Sequence, residues 1–207
     1  MSEAIELIVG LGNPGGEHLQ DRHNAGFWLA DLLARESGAT FKRDKHMQAE
    51  ITDVTIGTAR VRLLKPQTYM NASGRAVTAA LSFFKIPPER VLVAHDELDL
   101  EPGRAQLKFD GGHGGHNGLR DVVAHVGSQF WRLRLGIGHP GPGRKDEVVD
   151  YVLRRPTAEQ LELMLEAIAA GIEALPVFLE QGPERAKTQL HSRGREPRPY
   201  RKPAAET

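Results

Sequence analysis

The sequence predicts an α/β fold: a single domain with a largely parallel sheet flanked by helices. Three observations carry this reading. Two short apolar runs, Glu6 to Leu11 and Arg90 to Asp99, read as buried strands, and the second is continuous enough to be covered on both faces. Stripes of apolar residues at helical spacing begin near Asn24, Ser73 and Thr157. The chain has 207 residues, no internal repeat and no abrupt shift in composition before Ser192, which suits one domain of ordinary size.

Glu6 to Leu11 forms the first strand, and its glycines release the backbone into a turn. The string Gly10-Leu11-Gly12-Asn13-Pro14-Gly15 satisfies G-x-G-x-x-G. A dinucleotide site needs its helix to start inside that run, however, and Pro14-Gly15-Gly16 delays any helix. The helix starts instead near Asn24 and runs through Phe27, Leu29, Leu32 and Leu33 to a stop at Gly38. His23, just before it, is a candidate general base near neutral pH, or a structural residue at a helix start.

Phe41 to Leu64 reads as two strands joined at Gly57. Lys65 to Asn71 should leave the sheet as a loop, because Pro66 cannot donate to a ladder. A helix then runs from Ser73, as its N-cap, to the breaker Pro87-Pro88. Asn71 stands at the mouth of this unit, either as a helix-start cap or as a ligand-facing amide. The next strand turns from apolar to charged at His95-Asp96. Open α/β sheets place their ligand crevice beyond the carboxyl ends of strands, so Asp96 is either a site acid or a solvated turn acid.

Ala105 to Phe109 is a further strand, and five glycines then fall among the eight residues 111–118. Such a loop lets backbone amides approach a ligand closely. His113 and His116 at i, i+3 invite a zinc reading, but no third ligand stands at a motif spacing. Asn117 reads as a turn residue or as a second amide for a ligand, and a helix spans Asp121 to Val126. Trp131 to Gly138 is a half-buried strand with Arg132 and Arg134 on one face. His139 to Lys145 forms a basic loop, and Val148 to Leu153 is a short helix or strand. Thr157 to Gln160 makes a capping box for a helix whose stripe runs from Leu161 through Met164, Ile168 and Leu175 to Gly182. Pro183 to Leu190 adds a short last helix. The division is a domain over 1–191 and a basic, proline-rich, disordered tail over 192–207.

Composition narrows the chemistry. There is no cysteine, which excludes disulfides, thiolate nucleophiles and cysteine-ligated metals and points to a reducing compartment, the cytoplasm. The N-terminus has no basic region and no long apolar run, so neither a signal peptide nor a membrane span is expected. Net charge is zero, yet seven Lys or Arg stand between Pro102 and Lys145 against Asp110 and Asp121. That cluster is a solvated face or a phosphate-contacting surface.

Asn13 in the first turn, His23 in RHNAG, Asn71 in TYMNASG, Asp96 in VAHDELDL and Asn117 in GGHGGHNGLRD together resemble the bacterial peptidyl-tRNA hydrolase family over residues 5 to about 191. The resemblance implies a twisted mixed sheet in a single α/β domain. It also implies cleavage, without metal or organic cofactor, of the ester joining a peptide to the terminal ribose of a tRNA, by a monomer. Two departures flank the histidine: His18 stands where the family usually has an aromatic residue, and Asp21 where it has threonine or lysine.

Ester hydrolysis at neutral pH needs an activated water and donors for the developing oxyanion. His23 would take the proton, Asp96 would orient its ring, and Asn13 would position the water or a carbonyl. Asn71 and Asn117 suit a peptide backbone of any sequence, Met70 an apolar wall, and His18 and His116 further substrate contacts. Arg104, Lys108, Arg134, Arg144 and Lys145 would meet acceptor-stem phosphates. The alternative is a noncatalytic RNA-binding protein on the same fold, since folds do not fix function.

Overall fold

The computed structural model describes residues 4–141 and 145–192, with side chains from Glu147 onward in the second span. Seven strands make one sheet: β1 (Leu7–Gly10), β2 (Lys42–Asp44), β3 (Ala49–Ile56), β4 (Ala59–Pro66), β5 (Val91–Glu97), β6 (Ala105–Phe109) and β7 (Trp131–Gly136). Their order is β2-β3-β4-β1-β5-β7-β6. The pairs β4–β1, β1–β5 and β5–β7 are parallel, while β2, β3 and β6 join antiparallel at the edges. The sheet is therefore mixed, with a parallel centre.

Both faces of the centre are covered, which is why its strands are apolar throughout. On β1, Ile8 enters one core while Leu7 and Val9 enter the other; on β5, Leu92 and Ala94 oppose Val91 and Val93 in the same way. The helices α1 (Ala25–Glu36), α5 (Ala158–Gln181) and α6 (Pro183–Ser192) supply the first core through residues such as Leu29, Ile168 and Leu190. The other core receives Val77 and Leu81 from α2 (Ser73–Phe84) and Val122 from α3 (Asn117–Val126). The segment at 148–153 lies mostly in a helix, α4 (Lys145–Val152). Thr157 and Gln160 make the expected capping box, a feature that stabilises a helix start by about 1 kcal/mol.

Four local expectations change. The stretch from Phe41 holds three strands rather than two, because a turn after Asp44 splits off β2, which pairs antiparallel with β3. Lys65 and Pro66 stay in the sheet: β4 runs to Pro66 opposite Ala49, and proline is tolerated as the terminal residue of a strand. Ser73 is not the N-cap of α2; its hydroxyl donates to the Met70 carbonyl at 2.8 Å, and Asp121 of α3 accepts the Gly74 amide at 2.7 Å instead. The helix placed from Asp121 begins at Asn117, because His116 supplies a side-chain cap. Ser192 closes α6, and the tail from 193 lies outside the described residues.

Candidate active site

The first turn and the start of α1 meet the carboxyl ends of β1 and β5. Gly26 makes this possible: a Cβ there would lie 2.4 Å from the Ala94 carbonyl oxygen and 2.5 Å from the Leu11 amide nitrogen. The Leu11 amide also bonds to the Ala94 carbonyl at 3.0 Å, carrying the β1–β5 pairing one residue further. Backbone packed against backbone in this way sets His23, three residues before Gly26, beside Asp96 near the end of β5.

The His23 ring is buried, and its Nδ1 lies 2.9 Å from Asp96 Oδ2 and 3.0 Å from Oδ1. A carboxylate only accepts, so Nδ1 carries the hydrogen and Nε2 is bare. Burial alone would lower the His23 pKa; the Asp96 carboxylate, helped by Asp21, reverses this and raises it above the ordinary histidine value. Burial alone would raise the Asp96 pKa, but His23 and His116 hold it well below the usual carboxylate range. His116 Nε2 meets Asp96 Oδ1 at 2.8 Å.

Asn13 is fixed from two sides. Its amide and carbonyl exchange bonds with the side chain of Asn24, both at 2.9 Å, and its Oδ1 accepts the Met70 amide at 2.8 Å. The Oδ1 being so engaged, Nδ2 is what Asn13 has left to offer a ligand.

His23, Asp96 and Asn13 share the wall of a cavity of about 390 Å³. Met70, buried, and Asn71, exposed, enter it from the 3-10 turn before α2; His116 and Asn117 enter from the start of α3. Gly118 allows that approach, since a Cβ there would lie 2.4 Å from Met70 Sδ. The opposite wall is apolar: Val148, Val149 and Val152 of α4, then Leu153, with Leu98. Periodicity could not find this wall, because so short a segment could not be assigned to helix or strand. His18 lines the cavity as well, and its Nδ1 meets Asp21 Oδ2 at 2.8 Å. The two departures from the family pattern are thus partners of one another.

The basic residues divide. Lys108 and Arg134 line a smaller cavity of about 240 Å³ that shares Glu97, His113 and Gly114 with the larger one. Arg134 is partly engaged, with Nε on Glu97 at 2.8 Å and a terminal nitrogen on Gln106 at 2.9 Å. Arg132 turns out to be buried rather than part of a half-exposed face, and it donates to the Gly111 and Gly112 carbonyls, bracing the glycine loop. Arg104 is half-buried where β6 begins. Arg144 and the side chain of Lys145 lie outside the described residues.

His113 does not join His116 in a ligand set. The grouping that forms among the described residues is His23, Asp96 and His116, with one ligand-type atom from each inside a 4.8 Å span. Each of those atoms is engaged in a hydrogen bond to its neighbour, so the set is organised as a carboxylate with two ring donors.

Comparison with known proteins identifies the family. A sequence model described as peptidyl-tRNA hydrolase matches residues 7–198. A peptidyl-tRNA hydrolase of Polynucleobacter asymbioticus is 49% identical over 193 residues, covering 91% of this chain and 98% of that one. A crystal structure of peptidyl-tRNA hydrolase from Acinetobacter baumannii superposes with a TM-score of 0.88 at 45% identity, covering 93% of this chain and 98% of that one. A peptidyl-tRNA hydrolase crystallised with N-propanol gives the same TM-score, identity and coverage. By sequence and by fold, the chain belongs to the peptidyl-tRNA hydrolase family and is an enzyme of it.

Proposed function

We propose that the chain cleaves the ester between a peptide and the terminal ribose of a tRNA by attack of a water that His23 deprotonates. The observation that carries this is the His23–Asp96 pair in the wall of the cavity, with the Nδ1 of the ring bonded to the carboxylate. In that arrangement Nε2 is the nitrogen available to a water in the cavity. As the water adds to the carbonyl carbon, its proton passes to Nε2, and Asp96 stabilises the imidazolium. The carbonyl oxygen becomes an oxyanion, for which Asn13 Nδ2 is the donor at hand. Collapse of the tetrahedral intermediate breaks the acyl–oxygen bond, and the imidazolium returns its proton to the departing ribose oxygen, which leaves as the hydroxyl.

Peptide recognition follows from the rest of the lining. Asn71 and Asn117 each present an amide that can both donate to and accept from a peptide backbone, so no side chain of the peptide is read. Met70 and the α4 wall give an adaptable apolar surface for residues of varied shape. His18 and His116 complete the substrate-facing set. Lys108, Arg134, Arg104, Arg144 and Lys145 take acceptor-stem phosphates; Lys108 and Arg134 line the smaller cavity that adjoins the larger one. No helix among the described residues is long and apolar enough to cross a membrane, and the absence of cysteine fits a cytoplasmic protein.

The test is release of peptide from N-acylated aminoacyl-tRNA, against aminoacyl-tRNA with a free amine, by wild type and His23→Ala, with and without a chelator. The expected result is hydrolysis of the N-acylated substrate, a loss of roughly 10² to 10⁴ in rate without His23, and indifference to chelator. Equal rates for the two proteins would remove His23 from its role.

A further inference from the structure

The cap on α3 is unusual. Helix starts are best capped by Asn, Asp or Ser, and any of these at position 116 would satisfy the first amides at least as well as histidine. Here the Nδ1 of His116 lies 3.1 Å from the Gly118 amide and 3.2 Å from the Leu119 amide. Backbone N–H groups only donate, so Nδ1 must be bare, and in the neutral ring the hydrogen then sits on Nε2. That nitrogen is 2.8 Å from Asp96 Oδ1. A shorter cap would leave the carboxylate without this donor.

We infer that His116 is a positioning residue: the start of α3 fixes its Nε2–H tautomer, and in that form it donates a second hydrogen to Asp96 and holds the carboxylate square to His23. The inference rests on the reading of His23 and Asp96 as the reacting pair. Two imidazoles then hold the Asp96 carboxylate and a third holds its backbone carbonyl, each with its tautomer determined. His23 donates from Nδ1 and His116 from Nε2, while His95 Nδ1 donates to the Asp96 carbonyl at 2.7 Å. His116 packs between the other two rings, with centroids 4.7 Å from His23 and 5.1 Å from His95. Both its nitrogens are engaged, so although it faces the cavity it cannot take a proton from water. Of the two rings bonded to the Asp96 carboxylate, His23 is the one that keeps a nitrogen for water.

The same geometry fixes the direction of a pH effect. The groups around His23 are Asp96, with His95 and Glu97 beside it on β5, Asp21 and His18 in the preceding loop, and His113 and His116 in the glycine loop. Of these, His116 acts on Asp96 directly: its N–H draws charge from the carboxylate. Without that donor Asp96 bears more strongly on His23, and the acid limb of kcat/KM moves to higher pH.

Two substitutions separate capping from positioning. In His116→Asn the amide oxygen stands near the Nδ1 position and keeps the cap, but the side chain is too short to reach Asp96. In His116→Gln the amide stands near the Nε2 position and keeps a donor on Asp96, while the cap is lost. The expected result is that His116→Asn melts like wild type, turns over more slowly and shifts its acid limb upward by roughly half a unit to one unit. His116→Gln keeps the wild-type limb and loses thermal stability. Ring ¹⁵N spectra of the wild type report the Nε2–H tautomer for His116, and spectra of His116→Asn report a raised His23 midpoint, with or without substrate. An unmoved limb in His116→Asn, a rise in KM alone, or an Nδ1–H tautomer in the wild type would each overturn the inference. A protein that shows the expected spectra but hydrolyses no peptidyl ester would instead count against the proposed function.

Discussion

The side-chain oxygen of Asn13 accepts the Met70 amide at 2.8 Å, which joins the turn after β1 to the turn before α2 and leaves Asn13 Nδ2 for the cavity. Asn13→Asp tests what that nitrogen does. The acid keeps an acceptor for the Met70 amide, so the loops stay joined and the melting temperature holds. It replaces the donor with a charged acceptor where an oxyanion develops. The expected loss is about 10² to 10³ in kcat, read by steady-state hydrolysis of an N-acylated aminoacyl-tRNA. A variant that turned over normally would show that the oxyanion is held elsewhere.

Because Asp96 raises the His23 pKa above 6.5, kcat/KM should fall as pH drops through a value above that of ordinary histidine. A protonated ring cannot accept the water's proton, so activity is lost on the acid side. Asp96→Asn removes the charge that raises the ring, and the limb should move down. Both oxygen positions lie within 3.0 Å of His23 Nδ1, so in either orientation the amide NH₂ faces that nitrogen as a competing donor and the His23 tautomer is no longer held. Turnover should fall by roughly 10² to 10⁴ while tRNA binding is kept. A limb that stayed in place in Asp96→Asn would separate the carboxylate from the base.

His95 makes a prediction about stability rather than turnover. Burial, with His116 alongside, pushes its pKa down to about 3 from 6.5. Between those values the unfolded chain binds a proton that the folded chain refuses, so stability falls as pH drops through the window. The His23 pKa is raised, so its own contribution is fully present below 6.5 and is lost only as pH rises past it. The two histidines therefore oppose each other, and His95→Asn should flatten the loss of melting temperature between about pH 6.5 and 4. Asparagine can keep the donor to the Asp96 carbonyl without titrating. Parallel melting curves for wild type and His95→Asn across that range would refute the account.

Much of this was readable from residue order, for identifiable reasons. Strands buried on both faces are apolar without alternation, so β1 and β5 announce themselves, and a strand that ends in His95-Asp96 marks a crevice in an α/β sheet. The long helix from Ala158 carries its own cap and stripe. What could not be read was anything set by partners far away in the chain. Ser73 looks like an N-cap until Asp121, on another helix, takes the Gly74 amide. Arg132 looks like half of a basic face until it is buried against the carbonyls of the glycine loop. Asn24 looks like any helix-start asparagine until its side chain takes up the backbone amide and carbonyl of Asn13.

Lys108 tests the phosphate surface. It is exposed on β6 beside the smaller cavity, across from Arg132, whose guanidinium is occupied by the loop. Lys108→Ala should weaken tRNA binding about equally for every tRNA and lower the slope of log affinity against log salt by about one. Binding titrations at several salt concentrations read this directly, and an unchanged slope would place the phosphate contacts elsewhere.

Arg22, beside the proposed base, connects His23 to the apolar wall. The side chain is buried and, among the described residues, no carboxylate is bonded to it; one terminal nitrogen donates to the Tyr151 carbonyl at 3.1 Å and the Arg154 carbonyl at 3.0 Å, the other to Gln160 at 2.6 Å. Its backbone amide also bonds to the Arg154 carbonyl at 3.2 Å, and its guanidinium lies 4.1 Å from the Tyr151 ring centre. A cation at the C-terminal end of α4 complements the helix dipole, and the fork geometry reaches three acceptors together, one in the helix and two beyond it. Lysine keeps the charge and has one nitrogen, so it cannot span them. Arg22→Lys should cost about 1 to 3 kcal/mol of stability. With α4 less firmly held, Val148, Val149 and Val152 would grip the peptide less well, and KM should rise several-fold. The His23–Asp96 bond does not pass through this guanidinium, so kcat should hold. Thermal melts and steady-state kinetics on one preparation decide the matter: a fall in kcat at constant KM would mean that Arg22 orients the base and not the wall.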